Sequence, residues 1–378
     1  MSAFKGSAAG LVGRERDANR SLVAFYANAF GKRTVLLACA VAVLAVTAES
    51  GCAEAPWPQL KSISWSPDSK YLLSGGYDGE VRVQEVATGE STTVYRPRTQ
   101  FINTVQWSPD GQRLLVVTDQ TVELLDTHGK EIVVIVISPP LQHESFPIFE
   151  FPISTAFSPM GERLALAGWR DGRVQIVDAR SGRTEHVFKD IPEAVSSISW
   201  APNGKELVVG AWDQTVRILD VEAGKEASRM EVELSHGWVE VEVSPDGKRL
   251  AWHGYQTDAW LRDIAKGSQR QIAVQGGTQS VAWSPDGKRI VVLGFETLRV
   301  WNVEADMEEK SLAVSRVDQV LWSPDGQYVA AFSMFGRATL WNVRTGTRRT
   351  LPQAVSLAFS PDMRFIASGE QVKPFSRF

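Results

Sequence analysis

The sequence predicts an all-β repeat protein assembled from four-stranded units. Three observations carry that reading. A five-residue signature, "WSPDG" with its variants, returns eight times along the chain. The Ser or Ala before each of its prolines falls at 66, 108, 158, 201, 244, 284, 323 and 360, at intervals of 42, 50, 43, 43, 40, 39 and 37 residues. Between the signatures lie short alternating or continuous apolar runs broken by turn residues, with no helical period. A period of about 40 residues marks a propeller or a solenoid.

The first repeat shows the order of elements. "SISWS" alternates and "PDSK" turns; "YLLSGG" is a continuous apolar run and "YDG" turns; "EVRVQEV" alternates, "ATGE" turns and "STTVYR" closes the unit. In the signature, proline fixes φ at the second position of a type I turn. Aspartate can hydrogen-bond the local backbone, and glycine accepts the positive φ that follows. The preceding Trp or Phe ends the first strand and fills the layer between adjacent sheets, a burial worth roughly 1.5–3 kcal/mol. The signature is therefore structural, and its repetition means repeated blades.

The third strands end in "VWNV" at Val300–Val303 and "LWNV" at Leu340–Val343, with variants at Ile218–Val221, Ile176–Ala179 and Leu261–Ile264. A turn aspartate precedes that strand at Asp78, Asp119, Asp171 and Asp213. Over residues 60–378 the chain resembles the WD-repeat family of β-propellers, and its repeated Ser-Pro-Asp-Gly turns resemble the bacterial type. The resemblance implies a β-propeller of seven to eight four-stranded blades, eight with an incomplete last blade being favoured. Repeat eight offers "VSLAFS", "RFIASG" and a third strand at Gln371–Phe375. The Gly-His pair of eukaryotic members is missing, so their Asp-His-Ser/Thr-Trp network is not expected. The turn aspartate is lost in repeats five to seven, where Gln256, Phe295 and Phe335 stand near its place.

The first 33 residues carry six Lys/Arg against Glu15 and Asp17, a charge of +4, and the remainder carries −8. An acidic body is a poor phosphate ligand, so no nucleic-acid partner is expected. The two cysteines, Cys39 and Cys52, precede the repeats, which leaves the folded body without a disulfide or a thiolate metal site. Lys32–Arg33 and the apolar stretch Thr34–Ala48 read as a signal peptide or membrane anchor, too short for an ordinary spanning helix. Val46-Thr47-Ala48 offers a cleavage site. Gly51–Cys52 resembles a lipoprotein box with Cys52 lipidated, although Glu49 departs from that pattern. The domains are then 1–48, a basic head with signal or anchor; 49–59, a spacer; and 60–378, the propeller. Export to the periplasm or beyond, or membrane anchoring, follows; a cytoplasmic scaffold with a misassigned start is the alternative.

In the resemblance, the turns between second and third strands share one face with the links between blades, and that face binds partners. Those turns carry Tyr77, Trp169 with Arg170, Trp212, Tyr255, Phe295, and Met334 with Phe335, while blade two breaks the series with Thr118. The longest link adds Phe146, Phe149 and Phe151. Aromatic residues at this density are what interfaces enrich; the alternative is that the rings cap the channel and pack on each other. No nucleophile elbow, phosphate loop or zinc pattern is present in the sequence. The reading is a monomeric, non-catalytic scaffold without cofactor or metal that binds a protein partner. An extracytoplasmic ligand-binding or enzymatic propeller is its rival.

Overall fold

The computed structural model describes residues 60–98, 101–118, 120–136, 154–168, 172–234, 237–254, 257–315, 317–333, 337–352 and 356–377. All described strands belong to one compact unit, 58–146 with 152–378.

Every repeat opens with a hairpin that its signature builds. The Ser284 hydroxyl donates to Asp286 Oδ1 at 2.6 Å, and the same oxygen accepts the Lys288 N–H at 3.1 Å. Ser284 Oγ in turn accepts the Arg289 N–H at 2.9 Å, which starts the second strand. The set recurs at Ser66, Ser108, Ser244, Ser323 and Ser360. Two repeats keep half of it. Met160 replaces the aspartate after Ser158, which still accepts the Arg163 N–H. Ala201 lacks the hydroxyl, but Asn203 still accepts the Lys205 N–H. Gly287 takes φ 66° at the turn's end; Ser69 and Met363 hold that conformation at φ 62° and 59° without glycine's freedom.

The hairpins extend into eight antiparallel sheets, each one blade. Blades 1 to 7 have four strands in sequential order and span 60–95, 102–136, 154–188, 195–231, 239–272, 280–313 and 319–352. Blade 8, 357–374, has three, the last being Gln371–Pro374. The eight-blade expectation with an incomplete last blade is met.

First strands of successive blades face one another. Ser62 Oγ accepts the Val105 N–H at 3.1 Å and Ser64 Oγ the Trp107 N–H at 3.0 Å, joining blades 1 and 2. Ser197 and Ser199 join blades 4 and 5 in the same way through Val241 and Val243. Fourth strands form the rim; Lys225–Glu231 is exposed almost throughout.

The core is a series of layers between neighbouring blades, one for each junction around the ring. The layer between blades 3 and 4 holds Ile176, Trp200, Leu207 and Val209. That between blades 6 and 7 holds Val291, Val300, Trp322 and Trp341. Among the described residues, the seam between blades 8 and 1 is the thinnest, with Trp65, Leu72 and Ala367 buried. The tryptophans that end first strands do more than fill these layers. Trp200 Nε1 donates to the Ala156 carbonyl at 2.9 Å, Trp283 Nε1 to Glu242 at 3.2 Å and Trp322 Nε1 to Ala282 at 3.0 Å. Each indole thus grips the blade before it. Trp107 departs from this: it stacks on Tyr71 at 6.4 Å, and among the described residues its buried Nε1 has no acceptor.

Candidate partner-binding face

The turns between second and third strands pack against the links between blades, which puts both on one face. In blade 1, Tyr77 meets Phe101 of the following link edge-on, with centroids 5.9 Å apart. In blade 4, the Trp212 carbonyl lies 2.3 Å from where a Cβ on Gly237 would sit, so glycine is required in that link. In blade 6, Phe295 Cβ lies 3.1 Å from the same point on Gly276, in the link before it.

The three described candidates differ in exposure. Phe295 is 50% exposed, and Phe101 beside Tyr77 is 38% exposed. Tyr77 and Trp212 are half-buried, and burial pushes the Tyr77 hydroxyl pKa up. Trp169, Arg170, Tyr255, Phe335 and the Phe146, Phe149 and Phe151 link lie outside the described residues, as do Asp119, Asp171 and residues 1–59 with the leader and Cys52.

Beneath this face the turn aspartates anchor a network that the sequence reading missed. Asp213 Oδ1 accepts the Thr215 hydroxyl at 2.5 Å, and Asp213 Oδ2 accepts Arg217 Nη2 at 2.6 Å. Arg217 Nε donates to Thr215 Oγ1 at 3.0 Å, and Nη1 reaches Glu226 on the rim strand at 2.6 Å. Arg217 is 2% exposed, so its charge survives burial because two carboxylates and a hydroxyl surround it. In blade 1, Asp78 and Glu80 hold Arg82, which also meets Glu370 of blade 8 across the seam at 3.4 Å. Arg96 and the Thr93 hydroxyl hold the Glu80 carboxyl down at about 2. The missed signal was the pair "DGEVR" and "DQTVR", with arginine four residues after the aspartate. Blade 2 keeps the geometry with other groups: Thr118 Oγ1 accepts the Thr121 N–H at 2.9 Å, and the Thr121 hydroxyl donates to Glu123 at 2.7 Å.

One titratable cluster sits away from the turns, in blade 5. Glu240 and His253 are cross-strand partners, with His253 Nε2 3.6 Å from Glu240 Oε2. Two residues on, Glu242 Oε1 accepts the Trp283 N–H of blade 6 at 3.5 Å. Glu242 is half-buried. That burial pushes its carboxyl up to about 8 against the opposing hydrogen bond, and Glu240 adds to the rise. Among the described residues no group of three or more His, Cys, Asp or Glu side chains is arranged to hold a metal ion.

The description "WD domain, G-beta repeat" matches residues 57–83 and 89–126, within blades 1 and 2, and "Anaphase-promoting complex subunit 4 WD40 domain" matches 189–252, across blades 4 and 5. These matches, with the eight-bladed ring, support a WD-repeat β-propeller. Periodic tryptophan protein 2 of Arabidopsis thaliana is 26% identical over 196 residues, which is 50% of this propeller chain and 20% of that protein. Serine-threonine kinase receptor-associated protein of Gallus gallus is 25% identical over 197 residues, covering 44% and 56% of the two chains. Eukaryotic translation initiation factor 3 subunit I of Botryotinia fuckeliana is 28% identical over 178 residues, covering 42% and 50%. The matched region thus spans about a fifth of the periodic tryptophan proteins and about half of the others. At this turn of blade 4 the hydrogen-bonded set is Asp213, Thr215 and Arg217.

Proposed function

We propose that this WD-repeat propeller is a non-catalytic scaffold that presents its turn-and-link face to a protein partner. The observation that carries the proposal is Phe295, a large ring left half exposed on a rigid turn, with Phe101 exposed on the same face. Relatives named as a receptor-associated protein and as a subunit of an initiation factor support it, since both names describe parts of larger assemblies. The proposal includes Trp169, Arg170, Trp212, Tyr255, Phe335, Tyr77 and the Phe146–Phe151 link as the rest of the face. It also includes export or membrane attachment through residues 34–48 or a lipidated Cys52, with the propeller acting as a monomer.

The test is a pull-down followed by paired variants. Phe295→Ala should weaken binding of the captured partner by about 2 kcal/mol and leave stability nearly unchanged. Trp283→Ala, in the layer between blades 5 and 6, should cost about 3–5 kcal/mol of stability. Intact affinity in Phe295→Ala and in Trp212→Ala moves the partner site off this face.

A ligand-binding or enzymatic propeller is the second reading, and the Glu240, Glu242 and His253 cluster favours it. A thermal-shift screen with metal ions and small anions separates the two, because a specific ligand stabilises the fold by mass action.

A further inference from the structure

Around the rim, side chains from several fourth strands reach onto the turn between the third and fourth strands of the next blade. The position is fixed by register: Val133 opposite Leu124, His186 opposite Ile176, Ser228 opposite Ile218, Arg270 opposite Leu261 and Lys310 opposite Val300. Val133 covers Gly182, with its Cβ 2.5 Å from where a glycine Cβ would stand, and His186 covers Gly224 at 2.8 Å. Arg270 donates to the Val303 carbonyl at 2.5 Å, and Lys310 donates to the carbonyls of Val343 at 2.5 Å and Arg344 at 2.8 Å.

Ser228 is the short member of this series. At the neighbouring turn, the described atom within 4 Å of where a Cβ on Gly267 would stand is Arg262 Nη2 of its own blade, at 3.4 Å. A cleft of about 130 Å³ opens there between blades 4 and 5. Its walls are Ile218, Met230, Leu250 and Ile264, and Arg229 and Arg262 line it as well. An apolar cavity of about 150 Å³ accepts a benzene-sized group, so this cleft has room for one aliphatic side chain.

We propose that the cleft is a second binding site, independent of the turn face, for a partner segment that inserts one aliphatic side chain flanked by carboxylates. The apolar walls select the anchor. The two guanidiniums select the charge, since arginine pairs with carboxylate with directional hydrogen bonds. Glu226, the near carboxylate, meets Arg229 Nε at 3.8 Å through Oε1 but is held more closely by Arg217 Nη1 at 2.6 Å through Oε2, so one carboxylate is shared between two guanidiniums and Arg262 adds a further positive charge to the rim. A basic segment meets two like charges instead.

The probe is an acetylated peptide, Asp-Glu-Leu-Glu-Asp, with Leu→Ala and all-Lys-flanked versions as controls. It is titrated into the full chain while the Met230 methyl is followed by NMR. The leucine peptide should shift that methyl. The alanine peptide should bind roughly tenfold more weakly, as truncating an interface anchor does, and the lysine-flanked peptide should not bind. Ser228→Leu, which fills the cleft from within, should abolish the shift and raise the melting temperature. Arg262→Gln leaves the core untouched and should weaken the leucine peptide without unfolding the protein, so a poorly folded Ser228→Leu does not disable the test. Three results overturn the proposal. One is no Met230 shift at millimolar peptide. Another is equal binding of the lysine-flanked peptide. The third is self-association of the chain that Ser228→Leu abolishes, which makes the occupant a second copy, through its exposed Met307 between Asp306 and Glu308.

Discussion

Trp65 and Ala358, 293 residues apart in sequence, close the ring: the Trp65 indole N–H donates to the Ala358 carbonyl at 3.1 Å. Beside them Ser69 Oγ accepts the Asp362 N–H at 3.2 Å, and Trp65 stacks on Phe365 at 6.3 Å. Trp65→Phe keeps the ring but strands the carbonyl and should cost about 1–3 kcal/mol. Trp65→Ala also opens a cavity and should cost about 3–5 kcal/mol. Urea denaturation of the two variants checks the ordering. Equal losses would mean that the hydrogen bond contributes nothing to the seam.

Among the described residues, the seam has the smallest buried layer of the ring. Hydrogen exchange should therefore report the earliest opening at Leu72–Ser74 and Ile366–Ala367, ahead of Val291 and Val329 in the layer between blades 6 and 7. Slower exchange at the seam than in that layer contradicts the ranking.

Arg217 is buried between Asp213 and Glu226. Removing one member of such a set leaves its partners charged and unpaired, so Arg217→Met should destabilise by about 3–5 kcal/mol. Arg217→Lys cannot reproduce the fork that bonds Asp213, Thr215 and Glu226 together and should recover only part of the loss. Thermal melts of the two variants at one pH measure this directly.

Glu242 makes stability depend on pH in a definite direction. Its pKa rises from an ordinary 4.5 to about 8 in the folded protein. The folded state then binds the extra proton, so this contribution is complete below pH 4.5 and is lost as pH rises through 8. Glu242→Gln should remove that slope and leave the variant relatively more stable at pH 9 than the parent. Parallel stability curves for the two proteins between pH 5 and 9 would falsify the assignment.

The signature aspartates act with the opposite sign. Asp68, Asp110, Asp246, Asp286 and Asp362 are held below the ordinary 3.8. At Asp68 the Ser66 hydroxyl is the main cause; at the other four, partial burial opposes the hydrogen bonds and is outweighed. Their stabilisation is present above pH 3.8 and disappears as pH falls through the lowered values. Asp286→Ala should cost about 1 kcal/mol at pH 7, given its exposure, and should flatten the acid limb of the stability curve. Chemical denaturation at pH 3 and pH 7 reads both effects.

The architecture was legible because the signature is local chemistry. A Ser-Pro-Asp-Gly hairpin needs only its own residues, so its recurrence set the blade order and narrowed the count to seven or eight, with eight favoured. The third strand of blade 8, expected at Gln371–Phe375, spans Gln371–Pro374. What stayed hidden depends on neighbours distant in sequence. Nothing near Trp283 says that its indole will find the Glu242 carbonyl, and nothing near Ser228 says that its shortness leaves a cleft under Ile264. Arg217 lay between the two cases. Its spacing from Asp213 was readable, but its burial rests on Glu226 across the sheet. The aromatic turns were found by equivalence alone, and equivalence does not fix exposure: Phe295 projects while Trp212 is half-buried.

The indole contacts at Trp200, Trp283 and Trp322 all point backwards, from a later blade to the one before it. On the ribosome the chain emerges from its first residue, so each of these tryptophans arrives after the carbonyl it will bond. Such a blade can dock on a finished surface as soon as it is made. Trp65 is the exception, because its acceptor at Ala358 lies 293 residues further along the chain and emerges after it. Blade 1 therefore waits, with one flank of its layer uncovered, until blade 8 has been made. That interval is when the nascent protein is most open to chaperones and to wrong partners.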